Sequence, residues 1–313
     1  MVAIGPVSTD LYLPSLPSIG EVFGAPVSQA QLTLSAFIAG FAVTTIIYGP
    51  LADRFGRKPP LVAGMALFTV SSFGCLFATS IEALIVWRFF QAVGGCAGPV
   101  VARAIVRDLY EREDAARVLS FMAAAMALAP SVAPIVGGWI HIAFGWQGHF
   151  LVLGLAGMAM VGLCAFTLDE TNDRPDVTAT SPGRLAGNIA VLLKHRIFIG
   201  YVTTFALSYC CLFSFISGGA FVLIRAMDVA PQNFGYYFFF VAGSFAIGAF
   251  MGGRMTRRMG LLRMIAIGVG LGIVGAAAGL ALSLAGIAHP LAVVVPIAVM
   301  FFGCAFVFPN ATA

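Results

Sequence analysis

Long apolar runs separated by short polar segments set the pattern of this chain. An α-helix needs about 20 predominantly apolar residues to cross the hydrocarbon core of a bilayer, and ten runs of roughly this length follow one another along the sequence. We therefore predict an all-α, polytopic membrane protein. The predicted spans are 1–19, 29–50, 60–79, 83–106, 117–143, 147–167, 197–224, 232–253, 261–286 and 290–313.

Basic residues are concentrated in alternate loops. Arginine and lysine follow the second, fourth, sixth and eighth runs, whereas the loops between them carry almost none, with Arg225 as the exception. Basic loops remain on the cytoplasmic side of a membrane, so we expect these loops and the amino terminus to be cytoplasmic. Basic residues that merely marked loops would occur on both sides.

The composition and the missing motifs exclude several other functions. Hydrophobic residues make up 60% of the chain and charged residues 10%, against about 25% charged residues in soluble domains. The six cysteines lie within apolar runs and the four histidines lack the spacing of a metal site, so we predict neither disulfides nor a metal centre. The sequence has no phosphate-binding loop, and we expect no catalytic residues, no cofactor and no nucleic-acid partner.

The chain contains an internal repeat. The segments GPLADRFGRK (49–58) and GRMTRRMGLL (253–262) align at a shift of 204 residues, which pairs Gly56 with Gly260. Parallel repeats of six spans are a transporter architecture. We therefore predict an amino-terminal six-helix bundle (1–167), a flexible cytoplasmic linker (168–195) and a four-span carboxyl-terminal bundle (196–313), or about 10 spans of a twelve-span protein with the first span shortened.

The first motif is GPLADRFGRKPPL, which resembles the signature loop of the major facilitator superfamily. The matching positions include Gly49, Asp53, Arg54, Gly56, Arg57 and Lys58. Gly49 is expected to allow close helix packing and Gly56 a tight turn. The resemblance implies that the acid at Asp53 docks against the second half, and that Arg57 pairs with an acid at the inner end of span four, here Asp108. The alternative is a basic loop that sets topology only.

The second motif is RFFQAVGGCAGP in span four, which resembles the family pattern Arg-x-x-Gln-Gly-x-Gly and departs from it at Ala92. Arg88 and Gln91 fall on one helical face. A charge within a span is costly and normally faces a cavity or a partner. Arg88 is therefore predicted to contact substrate or tune a proton-binding acid, unless it is an interfacial arginine that snorkels outward.

The third motif is LAPSVAPIVGGWI in span five, which resembles the family's antiporter motif. Pro130 and Pro134 predict a bent helix, and Gly137 and Gly138 give it a smooth face. The resemblance implies an exporter that works by antiport. The alternative is ordinary helix irregularity.

An acid interrupts the first apolar run, GPVSTDLYLPSLPSIG. Together with RDLY after span four and FPNATA at the end, this stretch resembles the Bcr/CflA-type multidrug resistance exporters. The resemblance implies two pseudo-symmetric six-helix bundles and a proton-coupled antiporter that exports small amphipathic drugs or toxic metabolites across the bacterial inner membrane by alternating access. We expect a monomer in the lipid bilayer whose partners are protons and a small-molecule substrate.

Asp10 is the candidate proton site. We predict that Asp10, Tyr12, Arg88 and Gln91 line the central cavity, and that Asp10 and Arg88 approach or pair. Four aromatic residues of span seven either suit an apolar substrate or face lipid: Phe205, Tyr209, Phe213 and Phe215. Other functions stay open: a uniporter or symporter of a small metabolite, a sensor or assembly protein with a transporter-derived fold, and a non-transporting truncated fragment.

Overall fold

The computed structural model describes residues 1–172 and 175–311, and the regular elements of these residues are helical. The last two residues of the tenth predicted run and two residues of the predicted linker lie outside this description. In chain order the elements are α1 (Ile4–Asp10), a 3₁₀ turn (Leu13–Ser15), α2 (Leu16–Val22), α3 (Val27–Phe55), α4 (Lys58–Leu76), α5 (Ile81–Gly95), α6 (Ala97–Leu109), α7 (Arg112–Phe144), α8 (Gln147–Thr167), α9 (Pro182–Lys194), α10 (Arg196–Ala220), a π-helix (Phe221–Ala226), α11 (Pro231–Met259), α12 (Leu261–Leu284) and α13 (Pro290–Ala311).

Nine helical segments in the described part of the chain are long and apolar enough to cross a membrane. They correspond to the second through tenth predicted runs. Two of them are composite, because α5 continues into α6 and α10 continues into the π-helix. The all-α membrane architecture predicted from the apolar runs is therefore confirmed.

The first predicted span is not one helix. The run 1–19 is divided into α1, the 3₁₀ turn and the start of α2. Proline lacks a backbone N–H and clashes with the preceding turn, and Pro14 and Pro17 lie in the first turns of the two later pieces. The backbone thus departs from a continuous α-helix just after Asp10.

Span four is also divided, which the sequence analysis did not anticipate. Cys96 separates α5 from α6. Pro99 lies four residues beyond Gly95, so it offers no N–H to the carbonyl of Gly95 and weakens the helix at this point. The break lies two turns after Arg88.

The internal repeat is present in the structure. Helices α3 and α11 both contain 29 residues, and their bounds differ by the same 204 residues as the aligned motifs. Both helices end at a glycine with a left-handed backbone, Gly56 at φ 90° and Gly260 at φ 82°. Only glycine adopts such angles without strain, which explains why these two positions match in sequence.

The chain divides into two compact units, Met1–Ala186 and Gly187–Ala313. In unit one, α4 packs against α5 and α8; in unit two, α13 packs against α11 and α12. The segment predicted to be a flexible linker is structured in part, since it includes α9 and its first residues fold against the α3–α4 turn of unit one. We call the end of unit one that carries the α3–α4 and α6–α7 turns its basic end.

Candidate functional site

Three charged side chains meet at the basic end of unit one. Arg57 follows α3, and its Nη1 donates to Asp53 Oδ1 at 2.5 Å while its Nε donates to Asp108 Oδ2 at 2.7 Å. Asp53 lies in the last turn of α3 and Asp108 in the last turn of α6. Partial burial alone would lower the pKa of Arg57, and the bonds to the two carboxylates outweigh it, so the pKa is raised. The expected contact between Arg57 and Asp108 is present.

The remaining motif residues of this loop surround the cluster. Arg54 lies over the ring of Phe55, with 5.1 Å between its Cζ and the ring centroid, and donates to the hydroxyl of Thr180. Lys58 opens α4. The expectation for Gly49 is not met, because a Cβ there would contact no described atom within 4 Å. The close approach occurs instead at Gly40, against the backbone of span four next to Ala92.

A fourth residue of this site, Glu170, was missed by the sequence analysis. Its Oε1 accepts hydrogen bonds from the backbone N–H of Arg57 at 2.7 Å and its Oε2 from that of Lys58 at 3.1 Å. Burial alone would raise the pKa of Glu170, but donors from Arg57, Asn172, Lys58 and Thr171 outweigh it and lower the pKa. No local signal marked its contact with the α3–α4 turn, because Arg57 and Lys58 precede Glu170 by more than 100 residues.

Glu170 supplies the N-terminal cap that α4 lacks in its own sequence. Arg57, the residue before the helix, makes no side-chain capping bond, and Pro59 and Pro60 have no N–H to satisfy. The carboxylate also explains Gly56, because a Cβ at this glycine would collide with it. The turn is therefore held on one side by Glu170 and on the other by the two aspartates.

Arg88 lies inside unit one and is fully buried, which rules out an arginine that snorkels outward. Its Nη1 donates to the carbonyl of Ser8 at 3.1 Å and to Gln91 Oε1 at 2.7 Å. Three aromatic rings surround the guanidinium. The distances from its Cζ to the ring centroids are 4.3 Å for Phe37, 4.9 Å for Tyr12 and 5.9 Å for Phe150.

The polar contacts of Arg88 extend through two further helices. Gln91 Nε2 donates to Ser72 Oγ on α4 at 2.8 Å, and the hydroxyls of Tyr12 and Thr33 are 2.9 Å apart. Two nitrogens of the guanidinium, Nε and Nη2, are buried without a hydrogen-bond partner among the described residues. The structure thus brings Tyr12, Arg88 and Gln91 together inside unit one, and their place in a central cavity stays a prediction.

Asp10 does not join this group, so the predicted pairing with Arg88 is not formed. Only 4% of Asp10 is exposed, yet its carboxylate makes no hydrogen bond or ion pair with any described residue. Arg88 is contacted instead by the residues on either side of Asp10, through the backbone carbonyl of Ser8 and the ring of Tyr12.

The antiporter motif lies where α7 crosses the break in span one. Pro130 and Pro134 are inside α7, which is continuous. A Cβ at Gly137 would collide with the carbonyl oxygen of Leu11, the residue that follows Asp10. Gly137 and Gly138 are both buried. The smooth helix face predicted for them therefore packs, at Gly137, against the backbone of Leu11.

The aromatic residues of span seven form two clusters in unit two. Phe205 and Tyr209 contact Phe308 of α13, with ring centroids 4.7 and 6.4 Å away, and Phe245 of α11 is 5.7 Å from the same ring. Phe213 stacks on Tyr209 at 6.3 Å. Phe215 is separate and buried, and it packs against Phe238 and Phe301.

Comparison with known proteins identifies the family. The family model described as Major Facilitator Superfamily matches residues 1–313. The chain belongs to the major facilitator superfamily. Members of this superfamily are multi-pass membrane transporters of small molecules and not enzymes.

Three bacterial proteins are similar in sequence to this chain. The chain is 35% identical over 274 residues to an uncharacterized MFS-type transporter, YdgK, of Bacillus subtilis, which covers 85% of this chain and 68% of that protein. It is 30% identical to a bicyclomycin resistance protein homolog of Haemophilus influenzae, over 84% of this chain and 66% of the relative. It is 31% identical to the multidrug resistance protein MdtL of Escherichia coli, over 72% of this chain and 57% of the relative. The chain thus spans 57 to 68% of the length of these relatives.

Two solved structures share the fold. A bacterial homologue of the human lysosomal transporter Spinster, in an inward-facing and occupied conformation, has a TM-score of 0.76 at 17% identity and covers 99% of this chain and 70% of its own. A D-xylose–proton symporter has a TM-score of 0.68 at 16% identity and covers 97% and 78%. At these identities the likeness concerns the fold alone.

Proposed function

We propose that this chain carries the transport machinery of a proton-coupled antiporter. The transporter exports small amphipathic drugs or toxic metabolites across the bacterial inner membrane by alternating access. In this proposal the basic end of unit one and the amino terminus are cytoplasmic, no cofactor takes part, and the proton gradient supplies the energy. Two relatives are named for bicyclomycin and multidrug resistance, which supports the direction of transport and the class of substrate.

The observation that carries the proposal is the state of Asp10. An ionisable residue within a span is costly to bury, so its presence there points to a function. Asp10 is buried and lacks a partner among the described residues. It ends α1 at a break in the first span, where a backbone change can alter what it faces. These features suit a group that binds and releases one proton per cycle.

The cluster at the basic end suits the gate of such a transporter. Arg57 holds the ends of α3 and α6 together through two carboxylates, and Glu170 fixes the turn that carries it. Closing and opening this end would strain these bonds. We assign Asp53, Arg57 and Asp108 to the gate and Glu170 to its positioning.

The test is drug-dependent proton movement in everted membrane vesicles. The full-length protein is produced in a bacterial host that lacks its own drug exporters, with bicyclomycin as the probe. Addition of bicyclomycin should release protons from acidified vesicles, and an ionophore that collapses the pH gradient should abolish bicyclomycin uptake into them. Uptake that is unaffected by the ionophore would contradict the antiport proposal.

Asp10→Asn separates the role of this acid from folding. The variant should abolish the bicyclomycin-dependent proton release while leaving the amount of protein in the membrane unchanged. Asp228→Asn is the matched control, because Asp228 lies in a loop at φ 50°, which asparagine also adopts. Wild-type export by Asp10→Asn across the pH range would remove Asp10 as the coupling acid, and loss of the protein itself would assign it a structural role.

A further inference from the structure

A second cluster of titratable side chains lies at the other end of unit one from the gate. The hydroxyl of Ser15, in the 3₁₀ turn of span one, is 2.7 Å from His141 Nδ1 on α7 and 2.5 Å from His149 Nε2 on α8. The two imidazole rings are nearly parallel, with 7° between their planes and 6.5 Å between their centroids. Three spans therefore converge on one hydroxyl group.

The protons of this cluster can be counted. A serine hydroxyl has one hydrogen to donate and lone pairs that accept, and a neutral imidazole has one N–H and one bare nitrogen. Ser15 therefore donates to one ring and accepts from the other. The three groups form a directed chain of hydrogen bonds in which an added proton at one end can be passed to the other.

The two ends of the chain differ in their access to solvent. His149 and Ser15 are fully buried, and the Nδ1 atom of His149 has no hydrogen-bond partner among the described residues. His141 is only half-buried, so its second nitrogen is the accessible one. When His141 donates to Ser15 and Ser15 donates to His149, a proton added to Nε2 of His141 leaves both hydrogen bonds intact.

No other charge of the described residues neutralises the rings. His141 is the group that acts electrostatically on His149, and neither ring forms an ion pair. The other titratable groups on the adjoining elements are Asp10 on α1, Tyr12 just before the 3₁₀ turn, Glu21 on α2, Lys58 and Cys75 on α4 and Cys164 on α8, and the remaining charged residues of α7 lie at its opposite end, at 112–117. None of these groups bonds to either imidazole. Two cations this close together, one of them fully buried, would be strongly unfavourable, so the cluster has room for one extra proton.

We propose that Ser15, His141 and His149 form a second proton-binding site that holds one proton shared between the two imidazoles. The ligand is a proton and not a metal ion, because no third histidine, cysteine or carboxylate of the described residues stands beside the pair. The site attaches the broken segment of span one, five residues after Asp10, to α7 and α8. Its use in transport rests on the proposed proton coupling, whereas the shared proton does not.

The experiment follows the imidazoles directly. Full-length protein with ¹³C- and ¹⁵N-labelled histidine, in lipid nanodiscs, is titrated between pH 4.5 and 9 by NMR. The chain has four histidines, and single His141→Gln and His149→Gln variants assign the two signals. In the wild type both rings should shift through one common midpoint, with amplitudes that add up to one proton.

Removing the bridge should uncouple the rings. In Ser15→Ala each ring should titrate separately, with midpoints that no longer coincide, and Ser15→Thr, which restores a hydroxyl, should recover part of the common transition. Ser71→Ala is the matched control, since Ser71 is also fully buried but its hydroxyl has no partner among the described residues. If Ser15→Ala does not fold, the wild-type titration alone tests the proposal, through the presence or absence of a common midpoint for the two rings.

Two results would overturn the proposal. One is independent titration of His141 and His149 in the wild type, and the other is a joint transition that persists unchanged in Ser15→Ala. Neither reading requires transport, so a failure here is distinguishable from a failure of the antiport assay. A shared transition in a protein that moves no bicyclomycin would support this site and contradict the proposed function.

Discussion

Glu170 should stabilise the start of α4 by capping its first N–H groups. Pro59 and Pro60 have no N–H, so the only N–H groups at the start of this helix that need an acceptor are those that precede Pro59. The N–H groups of Arg57 and Lys58 both donate to Glu170. Replacing Glu170 by alanine removes both acceptors, and replacing it by glutamine keeps an acceptor but removes the charge.

The expected magnitudes follow from these two losses. An N-terminal cap contributes about 0.5–2 kcal/mol, and a negative charge at a helix N-terminus contributes about 0.3–1 kcal/mol where it is exposed. Since 1.4 kcal/mol corresponds to a factor of ten, Glu170→Ala should raise the opening equilibrium of the turn about 2- to 30-fold, and Glu170→Gln about 2- to 5-fold. Thermal stability of the whole protein should change little, because the loss is local.

Hydrogen exchange of the full-length protein in nanodiscs measures this equilibrium. A peptide that spans 50–61 contains both donor amides, and a peptide from α12 serves as an internal reference. Asp169→Asn is the matched control, because Asp169 is the neighbouring acid and has no hydrogen bond among the described residues. Equal exchange of the Arg57 and Lys58 amides in the wild type and in Glu170→Ala would refute the capping argument.

The pH dependence has a definite sign. The pKa of Glu170 is lowered in the folded protein, so its contribution is complete above the ordinary glutamate pKa of about 4.3. The contribution is lost as the pH falls through the lowered pKa of the folded state. The protection factor of the two amides, which is exchange corrected for its intrinsic pH dependence, should therefore fall on acidification below about pH 4 in the wild type, and this fall should be absent in Glu170→Gln.

Two further predictions concern packing and the gate. Arg57→Lys should lower the free energy of unfolding by about 1 kcal/mol, because one ammonium group cannot form the same two hydrogen bonds to Asp53 and Asp108. Thermal unfolding measures this loss, and an unchanged Tm would count against the ion-pair argument. Gly137→Ala should cost about 1–3 kcal/mol through the collision with Leu11, whereas Gly162→Ala, which meets no described atom within 4 Å, should be neutral or slightly stabilising in the same assay.

The parts of the fold that the sequence predicted depend on local pattern. Nine of the ten apolar runs correspond to spans, because the length of an apolar run is a property of the run itself. The repeat was also visible, since Gly56 and Gly260 each satisfy a backbone angle that other residues avoid. The contact between Arg57 and Asp108 followed from a family resemblance and not from the pattern of either residue.

The parts that were missed depend on the arrangement of distant segments. The division of the first span depends on Pro14 and Pro17, whereas the length of the apolar run alone indicated a single span. The cap by Glu170 and the meeting of Ser15 with two histidines join residues more than 100 positions apart. Sequence spacing carries no signal for such contacts, because the order in which helices pack decides them.

The failed pairing between Asp10 and Arg88 changes how the proposed proton site works. A carboxylate that is paired with an arginine has to break that pair before it can take up a proton. The contacts of Arg88 do not include Asp10. Aromatic faces, the carbonyl of Ser8 and Gln91 surround the guanidinium, and its Nε and Nη2 have no partner among the described residues. Protonation of Asp10 would then leave the Arg88 network intact and change only the local charge beside the break in span one. Under the proposed function, that charge change and not the exchange of an ion pair is what couples the proton to the movement of the first span.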